Sequence, residues 1–337
     1  MIRPPLTLLT LLALTTFCVG TVRGQSDMLP MSRTVGSISL TLPKNATTLV
    51  ALPNVKIVAD GTISAVAGDN LTVASTPAVL PDVSGSAYAI KITSRNSHAA
   101  GSTNAYGLSA TITAQAGQEV TADLSTAPNV GDSFVIYELS TIADIFGANN
   151  SAGLHGGITP AVADIVSLTS GGEIIGYFYN TSANAWRLVS APDGANQGDT
   201  VIESGSGVMV TRQDEGSAIT LRLSGEVVTG RHAANVGSGF SIVNNPFLIP
   251  TTLAASSLQD NITGGTGPGA ADIVYLESAG ELTGYYYKTG GIGGTGWRAL
   301  GDNVTDQGAT IIAPGKAILF KEIAGSAGFA LPEPFAE

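Results

Sequence analysis

One part of this chain is present twice, and that duplication is the strongest constraint on how the chain can fold. Each copy has an Ala-Asp-Ile-Val motif, a Tyr-rich segment, a Trp-Arg pair and an ending led by glycine. The matching segments are 163–166 and 271–274, 176–179 and 284–287, 186–187 and 297–298, and the endings that begin at Gly207 and Gly315. Matches in one order with small gaps are typical of a tandem repeat. We predict a first repeat unit at 139–230 and a second at 239–325.

Short segments that alternate apolar and polar residues dominate the chain and predict strands. They are rich in Val, Ile, Thr and Tyr, as at 37–42, 88–92, 133–137 and 218–223. Turn pairs such as Asp193-Gly194 separate them. Many short strands with Gly-rich turns are typical of sandwiches and barrels. We predict an all-β fold with a duplicated β-sandwich-like or jelly-roll-like unit and a small N-terminal β-barrel segment.

The N-terminal β segment, 35–138, has two possible relations to the first repeat unit. The second unit opens with a strand at 240–243, and the first unit has no such strand directly before residue 141. Residues 49–53 could supply it, and residues 55–138 would then be a small barrel inserted into the first unit. The alternative is an independent N-terminal domain followed by two repeats.

The first 24 residues have the pattern of a secretory signal peptide. Arg3 precedes an apolar run, and small residues follow up to Gly24, which is the usual order of such a signal. Cys18 offers a lipoprotein anchor instead, but bulky Phe17 stands where a small residue is expected. We predict cleavage after Gly24, no transmembrane segment in the mature chain, and a short C-terminal tail at 326–337.

Charge and composition exclude several classes of function. The 15 basic and 26 acidic residues give a net charge of −11, which becomes −13 once Arg3 and Arg23 leave with the signal peptide. Such a chain repels nucleic acid and anionic lipid. The only cysteine leaves as well, which excludes a disulfide scaffold. A 44 % hydrophobic content excludes a disordered polar chain.

The duplicated Tyr-rich strand, the Trp-Arg pair and the Gly-led ending resemble a family of secreted proteins of Verrucomicrobia. The resemblance covers most of residues 35–322, although the second ending carries Lys316-Ala317 in place of a simple Gly-hydrophobic pair. It implies an exported bacterial β-protein, and it implies no activity.

The duplicated aromatic segments are candidates for ligand binding. An exposed Trp beside a Tyr-rich strand can stack on sugar rings, and an arginine adds planar donors. The candidate residues are Trp186, Arg187, Tyr177, Tyr179, Trp297, Arg298, Tyr285 and Tyr287. The alternative is that each Trp anchors the core of its unit.

Two loops at matching positions carry oxygen ligands of the kind that calcium prefers. Calcium takes six to eight oxygens from flexible loops. The candidate ligands are Asp193, Asn196, Asp199, Asp302 and Asp306. Such residues beside glycine are also ordinary turn formers, so the sequence predicts no cofactor other than this optional calcium.

No catalytic motif is evident. None of His98, His155 and His232 has a metal-ligand partner at i+2 or i+4, and His98 and His232 are expected in polar loops. The Gly-rich segment 291–296 fits a dinucleotide pattern only formally, because a strand follows it where a helix is needed. Two duplicated acid pairs, Asp164 with Asp272 and Glu173 with Glu281, could serve a hydrolase, since carboxylate pairs meet in space rather than in sequence.

These observations predict a secreted bacterial structural or interaction protein of the cell envelope or extracellular matrix, without catalytic turnover. The first alternative is a carbohydrate-binding module that uses the Trp and Tyr strands, and the second is a glycan-acting hydrolase. Expected partners are envelope or matrix components or polysaccharide.

Overall fold

A computed structural model describes residues 35–52, 54–76, 80, 82–83, 85–94, 104–213, 216–227, 230–323 and 327–331. The predicted signal peptide, His98 and residues 332–337 of the predicted tail lie outside these ranges. No helix in the described ranges is long and apolar enough to cross a membrane.

The described residues form mostly antiparallel strands, with one short α-helix and three 3₁₀ helices. The strands up to the first repeat unit are β1 (Val35–Leu42), β2 (Thr47–Val50), β3 (Asn54–Ala67), β4 (Asn70–Thr76), β5 (Tyr88–Ile92), β6 (Ser109–Thr111), β7 (Ala114–Ala116), β8 (Glu119–Thr121) and β9 (Ser133–Glu138). The elements from there to the second unit are α1 (Ile142–Phe146), a 3₁₀ helix (Pro160–Val162), β10 (Ile165–Ser170), β11 (Glu173–Asn180), β12 (Ala185–Leu188), β13 (Val208–Thr211) and β14 (Ile219–Val227). The remainder are β15 (His232–Val236), β16 (Gly239–Val243), β17 (Thr251–Thr252), two 3₁₀ helices (Leu258–Asp260 and Pro268–Ala270), β18 (Ile273–Ser278), β19 (Glu281–Lys288), β20 (Gly296–Ala299), β21 (Ile311–Ile312), β22 (Ile318–Glu322) and β23 (Ala327–Leu331). The predicted all-β fold is confirmed.

The two repeat units contain five-stranded sheets of the same design. The strand order is β12-β11-β10-β13-β2 in the first sheet and β20-β19-β18-β22-β16 in the second. β2 pairs with β13 through Val50 and Val208, as β16 pairs with β22 through Val243 and Ile318. β2 therefore takes the position in the first sheet that β16 has in the second, and β3–β9 lie between β2 and the rest of the first unit in the sequence.

A two-stranded ribbon belongs to each unit and extends the repeat beyond its predicted bounds. β1 pairs with β14 in the first unit, and β15 pairs with β23 in the second. Leu42 and Leu221 of the first ribbon pack into one core with Val166 and Trp186 of the first sheet. Each unit is thus a two-layer, sandwich-like body, as buried apolar faces on both elements require.

The N-terminal strands curl into a small barrel-like sheet with its own core. The strand order is β6-β5-β9-β3-β4-β8-β7, and Ile112 and Thr113 join the two end strands directly. Their amides donate to the carbonyls of Tyr88 and Thr121 at 2.8 and 2.9 Å. The interior is filled by buried apolar side chains such as Ile63, Ile90 and Phe134. Because β14 pairs with both β1 and β3, the barrel is joined to the first unit through backbone pairing.

The two units meet through reciprocal backbone hydrogen bonds. The Phe240 amide of β16 donates to the Gly172 carbonyl at 2.8 Å, and the Thr47 amide of β2 donates to the Gly280 carbonyl at 3.0 Å. Gly172 and Gly280 are equivalent residues of the two β-hairpin turns, and Phe240 and Thr47 are equivalent residues of β16 and β2. Each hairpin turn therefore contacts the first sheet strand of the other unit.

Two more reciprocal pairs lie along the same interface. Asn244 N donates to Gly205 O at 2.8 Å, and its counterpart Ala51 N donates to Gly315 O at 2.9 Å. The equivalent bonds of the third pair run from Gly207 N to Ile242 O at 2.9 Å and from Ala317 N to Leu49 O at 3.3 Å. This is the pattern of a symmetric homodimer interface, here within one chain. It aligns Gly205 with Gly315, so the sequence alignment of Gly207 with Gly315 was wrong by two residues.

Candidate functional site

Both tryptophans lie in the cores of their units. Trp186 on β12 is 0 % exposed and Trp297 on β20 is 2 % exposed. Each packs edge-on against the tyrosine that faces it across the strands, Tyr179 or Tyr287, with ring centroids 5.6 Å apart in both units. Stacking on a sugar needs an exposed ring face, and neither indole presents one. Their geometry is that of core anchors.

The two indoles differ in one hydrogen bond. Trp186 Nε1 donates at 2.9 Å to the Gly147 carbonyl at the end of α1, which also accepts from the Asn150 amide at 3.0 Å. In the second unit a 3₁₀ helix (Leu258–Asp260) follows β17 instead, and the buried Nε1 of Trp297 has no partner. The indole N–H of the duplicated tryptophan therefore has a hydrogen-bond acceptor in the first unit and none in the second.

We expect Trp186→Phe to destabilise the protein by about 1 kcal/mol more than Trp297→Phe. Both changes remove similar volume, but only the first breaks a hydrogen bond, which is worth about 1 kcal/mol net. The second removes a buried donor that has no acceptor. Urea unfolding of the two variants measures the difference, and equal or reversed losses would contradict this account.

The two predicted ligand arginines close loops of their own units. Arg187 Nη1 donates to the carbonyl of Gly194. The Arg298 side chain is 3 % exposed and forms an ion pair with Asp306 at 3.0 Å. Arg298 also donates to the carbonyl of Gly293, at 2.5 Å. These bonds engage both Nη atoms of Arg298 inside the protein, while its buried Nε has no partner.

The four predicted tyrosines are distributed between core and cavity. Tyr177 and Tyr179 are buried, and Tyr285 and Tyr287 are half-buried. Tyr177 lines a cavity of about 170 Å³. Burial raises the pKa of the Tyr177 phenol, which a hydrogen bond from Thr200 partly offsets.

The predicted calcium loops use their oxygens for turn hydrogen bonds. Asn196 Oδ1 accepts from the amides of Trp186 and Gly198, each at 3.1 Å. Asp302 Oδ1 accepts from two amides of its own loop. A hydrogen bond from the Thr305 hydroxyl, together with these amide bonds, lowers the pKa of Asp302 to about 2.

The remaining predicted ligands are either paired or exposed. Asp306 Oδ1 is paired with Arg298, and Asp193 and Asp199 are exposed. No group of three or more His, Cys, Asp or Glu residues that could hold a metal occurs in the described part of the chain. The oxygens of Asn196, Asp302 and Asp306 form turn hydrogen bonds and an ion pair in this structure, and calcium binding by these loops stays a prediction.

The Gly-rich segment 291–296 is a hairpin loop between β19 and β20. Lys288 at the end of β19 is 2 % exposed, and its Nζ donates to the carbonyls of Ile292 and Asn303. The Lys288 ammonium therefore binds backbone carbonyls inside the protein and is not presented to a nucleotide phosphate. The loop has no helix after it and no geometry for a pyrophosphate.

Each buried aspartate of the duplicated acids accepts a hydrogen bond from its own unit. Asp164 Oδ2 accepts from the His155 amide, and Asp272 Oδ2 accepts from the Thr263 amide, each at 2.7 Å. Each carboxylate thus braces the start of its own unit's central strand. Glu173 and Glu281 are exposed at the starts of β11 and β19.

The structure contains a cleft that sequence reasoning missed. It has a volume of about 650 Å³ and lies where β6, the β10–β11 turn and β16 come together. Hydroxyl side chains from these parts and from the loop before β13 line it, among them Ser109, Thr111, Thr169, Ser170, Ser206 and Ser241. These residues are far apart in the sequence and belong to no motif, so no sequence signal marks them.

Two acids and one aromatic ring complete the cleft. Asp123 and Glu203 line it together with Phe240. Glu203 also lines the 170 Å³ cavity and a third cavity of about 40 Å³, so it lies where the three cavities meet. Carboxylates beside hydroxyls make this a hydrogen-bonding surface with negative charge.

Buried polar groups support the wall of the cleft. Tyr137 of the barrel shares a 2.7 Å hydrogen bond with Ser204, and burial raises the pKa of its phenol. His232 lies in β15 and is 4 % exposed, so its expected polar loop surroundings were wrong. Burial, assisted by Lys91, lowers its pKa well below the ordinary value, which keeps the imidazole neutral.

Comparison with known proteins adds no assignment. The chain matches no protein-family model, and searches of curated proteins and of solved structures find no significant match.

Proposed function

We propose that this chain is a secreted structural or interaction protein of a bacterial cell envelope or extracellular matrix, and that it acts by presenting surface without catalytic turnover. The main support is the burial of both tryptophans, at 0 % and 2 % exposure. The duplicated Trp side chains then stabilise the two cores, and the arginines of the motif form hydrogen bonds to loop carbonyls. A stacking site on the Trp and Tyr strands would need those rings at the surface.

The sequence supports export and an extracellular setting. Residues 1–24 have the order of a signal peptide, and the remaining chain has no cysteine and a net charge of −13. The resemblance to secreted proteins of Verrucomicrobia agrees with this location. The reciprocal interface between the units supports a rigid body that presents a constant surface.

Fractionation of the cells that make this protein tests the proposal. We expect an abundant protein in the envelope or extracellular fraction whose first residue is Gln25, because removal of the signal accompanies export. Quantitative mass spectrometry of each fraction measures both abundance and the N-terminus.

A variant without residues 2–24 is the matched control and should stay in the cytoplasm with the same folded body. An uncleaved wild-type chain in the cytoplasm would overturn the proposal. A scarce protein that is released freely and degrades a glycan would overturn its structural part.

A further inference from the structure

At the cleft, equivalent positions of the two units carry side chains of different chemistry. In the second unit the equivalent positions hold Glu277 and Lys316, which form an ion pair. In the first unit the same positions hold Thr169 and Ser206, and both line the cleft. Sheet pairing defines this equivalence, because Thr169 faces Ile174 as Glu277 faces Leu282.

The neighbouring backbone shows the same contrast between a filled and an open position. Gly315 of the second unit lies against the side chains of Ile38 and Leu40, which a β-carbon on it would meet at 2.3 and 2.9 Å. Its counterpart Gly205 faces Ala234, and a β-carbon there would have no neighbour closer than 3.4 Å. The symmetric position is packed with apolar side chains and an ion pair, whereas the first unit leaves the space open.

We propose that this cleft binds a neutral oligosaccharide. Its volume of about 650 Å³ lies within the range of small-molecule sites, and such sites prefer the junctions of structural units. The hydroxyl side chains donate to and accept from sugar hydroxyls. The Phe240 ring supplies the apolar contact for the C–H groups of a sugar ring.

The charge of the cleft selects against acidic glycans. Asp123 and Glu203 accept hydrogen bonds from sugar hydroxyls, and no Lys or Arg is among the described residues that line the cleft. A uronic acid or sulfate group would meet two carboxylates, and the nearby Lys321 ammonium lies over the Phe240 ring, 5.9 Å from its centroid. A peptide would find no row of apolar pockets, so the neutral sugar is the favoured occupant.

The inference rests on the proposed function, since it names the partner class of an interaction protein without turnover. The test is calorimetric titration of the mature chain with neutral hexasaccharides built from glucose, xylose or mannose. We expect at least one of them to bind and an oligogalacturonate of equal length to bind at least about tenfold more weakly.

The decisive variant transplants the ion pair of the second unit into the cleft as Thr169→Glu with Ser206→Lys. It should close the cleft and weaken hexasaccharide binding by at least about tenfold. The protein tolerates this pair at the equivalent positions, and an unchanged melting temperature checks folding. Phe240→Leu is a second variant that keeps an apolar side chain but loses the flat ring, and it should weaken binding several-fold. The control Glu277→Thr with Lys316→Ser should leave the affinity unchanged.

Two results would overturn the inference, namely no binding of any neutral hexasaccharide, or binding that both cleft variants leave unchanged. Preferential capture of a peptide would also overturn it. Failure of the inference is distinguishable from failure of the proposed function. An envelope protein that binds no sugar retains the function, whereas binding followed by release of reducing ends retains the cleft and refutes the absence of turnover.

Discussion

Replacing Arg212 by methionine is expected to lower the free energy of unfolding by about 3–5 kcal/mol, because it leaves a buried carboxylate without its charge partner. Arg212 Nε lies 3.0 Å from Asp164 Oδ2, and both side chains are almost completely buried. The same guanidinium donates to the carbonyls of Leu42 and Ser217 at 2.9 and 2.8 Å. The substitution therefore loosens the ribbon as well as the sheet. Urea unfolding at neutral pH measures the loss.

The second unit has the equivalent aspartate without an arginine partner. Asp272 occupies the position of Asp164 and keeps both amide bonds, from Thr263 at 2.7 Å and Ile323 at 3.0 Å, but Glu322 stands where the first unit has Arg212. Adding Asp164→Asn to the Arg212→Met variant should restore part of the stability, because it removes the buried charge. A loss below about 1 kcal/mol for Arg212→Met alone would show that the pair contributes little.

We expect Gly172→Ala to destabilise the protein by about 3 kcal/mol, and we expect Gly171→Ala, its neighbour, to cost only about 1–2 kcal/mol. Both glycines have positive φ, +82° and +59°, so both alanines incur the left-handed penalty of about 1–2 kcal/mol. A β-carbon on Gly172 would in addition lie 2.0 Å from the Ser238 carbonyl oxygen, whereas one on Gly171 would meet nothing within 4 Å. Overpacking against a backbone group adds about 1–3 kcal/mol.

Thermal and urea unfolding of the two glycine variants isolate the contact between the units. The φ penalty is common to both variants, so their difference reports the approach of the hairpin turn to the second unit. Equal losses would mean that the turn does not press on Ser238, and the reciprocal interface would then need another explanation.

The order of the repeat was readable from the sequence, but its extent was not. Identical residues such as those at 163–166 and 271–274 lie at the starts of the central strands, where buried side chains allow few alternatives. The ribbon strands β1 and β15 occupy equivalent positions but share no motif, because a strand at the edge of a body needs only alternation and not particular residues. The two-residue error at Gly315 has a similar cause. The first ending has two glycines, Gly205 and Gly207, and only the pairing of strands selects which of them matches Gly315.

The candidate site was predictable only in its residue types. Tyr-rich strands with Trp-Arg pairs are equally compatible with a sugar platform and with a core, since an indole suits either setting. Which face of β12 points inward depends on the ribbon that packs over it, and that ribbon comes from distant parts of the chain. The Ser and Thr residues of the cleft carried no signal at all, because hydroxyl side chains are common in strands and loops throughout this chain.

The sequence by itself determined an all-β fold, the duplication and its approximate period, because alternation and repeated motifs are local properties that a strand carries with it. It also predicted a signal peptide, a mature chain without disulfides and no nucleic-acid partner. Only the tertiary structure decided that both tryptophans are buried, that β2 belongs to the first unit's sheet, and that one unit leaves open a cleft which the other fills. The physical reason is that burial and cavities are set by contacts between segments far apart in sequence. Thr169, Ser206 and Phe240 line the same cleft only when the two units pack against each other.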